Sequence, residues 1–253
     1  MKRTVILVLC LLISVITFGQ EKKQFSDEIK GVNVSPPRFF GNEKFLSVLN
    51  DTQFGSLNQY LSRQIQIPEK SKFFQDEGTE VIQFVVTTKG EVTDFNIINS
   101  VSPEIDQEVI RVLKTTNGLW RPGLNNGELV AMEKEVSIAF KFGVATDEIN
   151  YAANFVEQAK PYFNIGNRQL FVKANIKGAL KNYNRAIRYL PNDKCLLASR
   201  GICRYELGDR NGACQDWTRI KALGGGLESV YYLDKFCEFK GYSELVSSLK
   251  DKE

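Results

Sequence analysis

Histidine is missing altogether from the chain. A protein without it lacks the usual general base near neutral pH and the commonest ligand for zinc and iron. Ser–His and Cys–His nucleophile pairs are excluded with it. Carboxylate chemistry survives that exclusion, since Asp and Glu total 30. No spacing singles out a pair, however, and no phosphate-binding or nucleophile motif occurs, so solvated surface carboxylates are the plain reading. We therefore expect no enzyme, cofactor, metal or small-molecule substrate. An excess of charge of one sign is also lacking. The net charge of +3 falls to +1 if Lys2 and Arg3 are removed with the segment described next. That balance leaves no electrostatic footprint for nucleic acid. With 43% hydrophobic residues and 25% charged, the chain has the composition of a folded protein with room for one large domain or two small ones.

Long apolar runs are scarce as well. The one sizeable run, Val5 to Phe18, covers fourteen residues, short of the ~20 that a membrane-spanning helix needs. It follows the basic Lys2-Arg3, and Thr17 and Gly19 are small residues at −3 and −1 of a cleavage after Gly19. That is the anatomy of a secretory signal peptide over residues 1–19, with a retained anchor as the alternative. Cys10, in mid-run, is apolar filler. Residues 20–35 are polar and charged and are expected to form a flexible leader. Export implies a compartment in which disulfides persist.

What is present falls into two patterns. Residues 36–143 read as an α+β domain. Leu57, Leu61 and Ile65, with Tyr60, make a helical apolar face, and Pro68 closes that helix. Val81–Thr87 and Val92–Ile98 are strands joined at Lys89-Gly90 as a β-hairpin. Ser102-Pro103 offers an N-cap and a first-turn proline for a second helix carrying Ile105, Val109, Val112 and Leu113. After a Gly- and Asn-rich loop, Val136, Ile138, Phe140 and Phe142 alternate with Glu135, Ser137, Ala139 and Lys141. Such alternation predicts an antiparallel sheet with one face buried and the other wet, in the order helix, strand, strand, helix, strand.

Several pieces of this region resemble the TonB C-terminal domain family. They are Phe54-Gly55-Ser56-Leu57-Asn58-Gln59-Tyr60-Leu61 with Ile67-Pro68-Glu69, the hairpin with Lys89-Gly90, and Val101-Ser102-Pro103-Glu104-Ile105-Asp106. The sharpest is Trp120-Arg121-Pro122-Gly123, similar to the turn before that family's last strand. Trp120, Pro122 and Gly123 would be structural there, Trp120 serving as a core aromatic. The resemblance implies a bacterial periplasmic or outer-membrane-associated protein that serves TonB-dependent transmembrane transport. It would bind a protein, an outer-membrane receptor or transport component, by adding an extended partner segment to a sheet edge. The strand Glu135, Val136, Ser137, Ile138, Ala139, Phe140, Lys141 is the expected edge. A full energy transducer in that family keeps a membrane helix, usually with a functional His, and a long proline-rich linker. The seven prolines here are scattered, and a short leader cannot reach across a periplasm at ~3.1 Å per residue. Direct coupling to proton-motive force is therefore not expected.

Residues 147–253 read as all helix with a period of 34 residues. Ala179 matches Ala213, Tyr183 matches Trp217, Ala186 matches Ile220, Asn167 matches Gly201 and Ala174 matches Gly208. Small residues let paired helices approach, an aromatic fills the gap, and Pro191 ends the first unit. These residues, with Gly201-to-Trp217 as the fuller unit, resemble tetratricopeptide repeats, which implies a concave groove for a peptide or helix. The alternative is that the helices merely extend the first domain. A scaffold whose repeats carry the partner is accordingly the second functional reading.

All four cysteines beyond Cys10 lie here. Cys195 and Cys203, eight residues apart on one helix, would be ~12 Å apart along it and could not pair. The expected bridge is Cys214–Cys237, tying the last repeat to a capping helix across Gly224-Gly225-Gly226; four free thiols are the alternative.

Overall fold

A computed structural model describes residues 33–41, 57–143, 149–151, 153–225 and 227–237. The apolar run at the N-terminus, the proposed cleavage site and Phe54-Gly55-Ser56 lie outside them. No helix among the described residues is long and apolar enough to cross a membrane. From Asn33 onward the chain forms one compact unit, in which an α+β half and a helical half meet.

The α+β half is built on an antiparallel sheet of β3 (Gly78–Val86), β4 (Val92–Asn99), β8 (Met132–Phe142) and β9 (Ile149–Asn150), ordered β4-β3-β8-β9. β3 and β8 pair along their length, from Gly78 opposite Phe140 to Val86 opposite Met132. This register sets Ile82, Phe84 and Val86 beside Val136, Ile138 and Phe140 on one face. Helices α1 (Leu57–Gln64) and α3 (Pro103–Lys114) cover that face with Tyr60, Leu61, Ile105, Val109, Val112 and Leu113. The Ser102 hydroxyl caps α3 by accepting from the Ile105 N–H at 3.4 Å, and Pro103 occupies the first turn, where its missing N–H costs nothing.

Pro68 does more than close α1. It opens a short helix, α2 (Glu69–Phe74), absent from the expected order. The Gly- and Asn-rich loop is also structured. β5 (Trp120–Arg121) pairs with β2 (Arg38–Phe39), and β6 (Gly123–Asn125) pairs with both β7 (Glu128–Val130) and β1 (Val34–Ser35). Asn126 and Gly127 turn that hairpin with φ of 51° and 87°, the left-handed pair that a tight two-residue turn requires. Val34 and Ser35, expected in the leader, are thus strand residues. Trp120 is a core residue, as expected; its Nε1 donates to Thr116 Oγ1 at 2.9 Å and its ring sits 5.3 Å from Phe39 and 5.5 Å from Phe84. Gly90, at φ 75°, comes so close to Trp120 that a Cβ there would lie 2.5 Å from the Trp120 carbonyl oxygen. The two turns are packed on each other.

The helical half comprises α4 (Val156–Asn167), a π-turn (Arg168–Val172), α5 (Ile176–Tyr189), α6 (Lys194–Glu206), α7 (Arg210–Ala222) and α8 (Leu227–Phe236). Asn175 and Asp209, 34 residues apart, cap α5 and α7 by accepting from Gly178 N and Gly212 N at 3.0 and 2.9 Å. Tyr183 packs against Gly166 and Trp217 against Gly201, where an added Cβ would fall 2.6 and 2.5 Å from the rings. Gly166, not Asn167, is therefore the counterpart of Gly201. Ala174 and Gly208 still correspond, at φ 50° and 88°. The first hairpin thus holds one extra residue between Gly166 and Ala174, where the π-turn lies, and an i→i+5 turn is the geometry that absorbs it. Cys214 and Cys237 form a disulfide with Cα atoms 5.7 Å apart, while Cys195 (exposed) and Cys203 (buried) are free.

Candidate functional site

The candidate edge, Glu135 to Lys141, lies within β8. Its inner side is consumed by β3. On its outer side the chain's own β9 pairs at Lys141–Asn150 and Phe142–Ile149, and the Ala139 N–H donates to the Tyr151 carbonyl at 3.2 Å. The Ser137 carbonyl accepts from Asn58 Nδ2 of α1 at 3.2 Å. Backbone groups of alternate residues in a strand share a side. Glu133, Glu135 and Ser137 therefore direct their N–H groups outward with Ala139, and no strand pairs with that stretch among the described residues. A cleft of about 410 Å³ opens beside it, between Asn58 and Ser62 of α1 and Ser137, Ala139 and Tyr151.

The second face of the sheet is not simply wet. Ala139, expected to face solvent, is only 8% exposed, and Val81 of β3 on the same face is fully buried. Glu135 accepts from Arg219 of α7 at 2.5 and 2.7 Å, and Asn192 donates to it at 3.4 Å. Arg188 of α5 donates to the carbonyls of Glu77 and Val101 at 2.8 and 3.2 Å, and Thr79 donates to the Tyr189 carbonyl at 2.6 Å. The helical half covers part of this face, while Glu133 and Ser137 on it stay exposed. Alternation in a strand records only which residues share a face, so a second layer arriving from far along the chain leaves no mark in it. Arg188, Asn192 and Arg219, which make the joint, carried no signal in the sequence; Tyr151 carried none either.

A larger cleft, about 790 Å³, lies between the two halves, with Gln83 and Asn99 of the sheet facing Arg200, Arg204 and Gln215. Its cations are spoken for: Arg200 and Arg204 both reach Asp216, at 2.6 and 3.0 Å. The expected helical-repeat residues Ala179, Tyr183, Ala186, Ala213 and Trp217 are buried inside the helical half, as are Pro191 and Gly201, whereas Gly208 is exposed in a turn.

One carboxyl stands out chemically. Glu80 of β3 is 1% exposed; its Oε2 accepts from the Val101 N–H at 2.8 Å and its Oε1 has no hydrogen-bond partner within normal distance among the described residues. Burial, with Asp106 close by, pushes its pKa up to about 8 against the pull of the Val101 N–H. It sits under the start of α3 rather than in a cleft, so its protonation bears on stability and not on chemistry. No cluster of metal ligands occurs among the described residues.

Comparison with known proteins agrees with the α+β half. A family model described as the C-terminal domain of the Gram-negative bacterial TonB protein matches residues 64–142, from the end of α1 to the end of β8. A solution NMR structure of the Helicobacter pylori TonB C-terminal domain is similar at 16% identity and a TM-score of 0.27, covering 42% of this chain and all of that one. No curated protein matches the chain. The α+β half is TonB C-terminal-like; the family match stops before the helical half begins.

Proposed function

We propose, from the TonB C-terminal-like half, that the chain is an exported protein–protein interaction module of TonB-dependent transport. It takes an extended segment of a partner, an outer-membrane receptor or transport component, onto the outer side of β8. One observation carries this reading: the run from Glu133 to Ser137 presents outward N–H groups with no partner strand among the described residues. A partner strand satisfies such groups directly, so backbone hydrogen bonds supply affinity and alternate side-chain pockets supply choice. The missing histidine speaks against catalysis. The signal-peptide anatomy of residues 1–19 and the Cys214–Cys237 bridge support an oxidising, extracytoplasmic location such as the periplasm.

Ser137→Pro tests the edge. The Ser137 side chain is exposed, and its N–H points away from β3, so proline removes one outward donor at little cost to the core. Capture of receptors from solubilised outer membranes is expected to fall strongly while the thermal midpoint stays close to wild type. Ala139→Pro is the contrasting variant, because that N–H already serves Tyr151. Undiminished capture by Ser137→Pro ends the edge-strand reading.

A second reading is favoured by the packing of Tyr183 on Gly166 and Trp217 on Gly201. Small residues facing an aromatic at repeat spacing are what tetratricopeptide-like units use, and their groove would then hold the partner. Binding that survives Ser137→Pro but is lost on disrupting α6 would select this scaffold role.

A further inference from the structure

The average charge conceals a sharp local asymmetry. Between Gln158 and Asn192 the chain carries seven of its 33 cations and none of its 30 carboxylates, leaving 26 cations against 30 carboxylates elsewhere. This stretch is the first helical hairpin. Along α5, Lys177, Lys181 and Arg185 recur every fourth residue on the side away from the buried Ala179, Tyr183, Ala186 and Ile187. Like charges at that spacing repel and weaken a helix, so stability of the hairpin does not account for them. None of Arg168, Lys173, Lys177 or Lys181 meets a carboxylate among the described residues.

The turn that leads into this stripe is apolar. Phe171 and Val172 are 75% and 77% exposed. They are held out by a tied turn, not by a fraying end: Lys173 N donates to the Arg168 carbonyl at 3.2 Å, Asn175 N to the Gln169 carbonyl at 2.8 Å, and Asn175 Nδ2 to Gln169 Oε1 at 3.1 Å. An aromatic and a branched aliphatic side chain projected at a turn, ringed by unpaired cations, are the elements that sit at a lipid–water interface. Neither cleft described above is lined by residues of this turn. The complement is a flat, anionic, apolar-cored surface.

We propose that this turn docks on an anionic phospholipid bilayer. Phe171 and Val172 enter the interface, Arg168, Lys173 and Lys177 meet the headgroup phosphates, and Lys181 extends the attractive field along α5. The surface is separate from the β8 edge, so a module seated this way on a membrane keeps its edge strand available.

The test uses the full chain carrying Phe171→Trp, with Trp120 and Trp217 buried as background. Vesicles of phosphatidylcholine with bromine-labelled acyl chains are compared with and without phosphatidylglycerol. The added indole is expected to be quenched when phosphatidylglycerol is present and not on phosphatidylcholine alone. The pair Lys173→Glu and Lys177→Glu in that background should lower vesicle affinity about ten-fold or more, since each cation beside an anionic surface is worth roughly a factor of five. The quenching is local, so attachment through the apolar residues 5–18 cannot imitate it. No quenching with phosphatidylglycerol overturns the proposal. Equal quenching on both vesicles overturns the role of the cations. Capture of an acidic protein that depends on Lys173 and Lys177, without quenching, transfers the surface to a protein partner and likewise overturns it.

Discussion

The two halves of this molecule solve the same problem by different means. The α+β half gathers its core from distant parts of the chain: β3 and β8, whose partners run from Val86 opposite Met132 to Gly78 opposite Phe140, register side by side and bury Phe84, Ile138 and Phe140 under α1 and α3. It contains no cysteine. The helical half packs neighbour on neighbour, with Tyr183 on α4 and Trp217 stacked 5.0 Å from Tyr232. Two hairpins bury little, and fewer than three such units seldom stand alone. This half accordingly adds a disulfide and leans on the sheet through Arg188 and Arg219. A long-range sheet closes its own core; a short helical stack borrows a wall and a staple.

Each half carries one buried tryptophan, Trp120 or Trp217, so Trp217→Phe or Trp120→Phe leaves a reporter for one half at a time. Phe140→Ala should produce the largest effect. Its fully buried ring fills the sheet core and meets Tyr151 edge-on at 5.5 Å, and truncation should cost about 3–5 kcal/mol through the cavity it leaves. Chemical denaturation followed at Trp120 measures this. A loss of equal size at Trp217 would show that the helical half cannot stand without the sheet.

Next comes pH. Glu80 has its folded pKa raised to about 8, above its ordinary value of 4.5. The folded state therefore holds the proton more tightly. Its contribution is fully present below about pH 4.5, erodes as the unfolded chain ionises, and is gone above about pH 8. Each pKa unit of that shift is worth about 1.4 kcal/mol of stability across the window. Glu80→Gln should flatten stability across that window and raise it at the alkaline end. An unchanged slope would place the pH dependence elsewhere.

Reduction of Cys214–Cys237 should destabilise the helical half by about 3 kcal/mol, the two cysteines lying 23 positions apart in sequence. Trp217 should report the loss while Trp120 reports none. Matching shifts at both would dissolve the contrast between a self-sufficient half and a stapled one.

The joint itself should give the smallest effect. A double-mutant cycle with Arg219→Ala and Glu135→Gln should return a coupling of about 1–2 kcal/mol, as befits charge-assisted hydrogen bonds at a partly exposed site. Zero coupling would mean that shape, not this pair, holds the halves together.

Features within a few residues of each other were legible. Ser102-Pro103 announced the start of α3, and Lys89-Gly90 announced a tight turn. Asn126-Gly127 is an equally local hairpin signal, but the strands it joins are only three residues each, too short for alternation to show. The alternation from Val136 to Phe140 marks the core face of β8 but not the burial of Ala139 on the other face, where it is 8% exposed. The caps Asn175 and Asp209 keep the 34-residue period, but a one-residue insertion taken up by a π-turn shifts Gly166 out of step.

The sequence alone determined which residues share a face, where helices begin, the repeat spacing and the absence of histidine chemistry, because each follows from local backbone geometry or from composition. Only the tertiary structure decided that part of the wet face of the sheet has a helical roof, that Arg219 answers Glu135 and that β9 takes one end of the candidate edge. Those contacts join residues tens of positions apart, and no periodicity along the chain encodes which distant side chain will arrive.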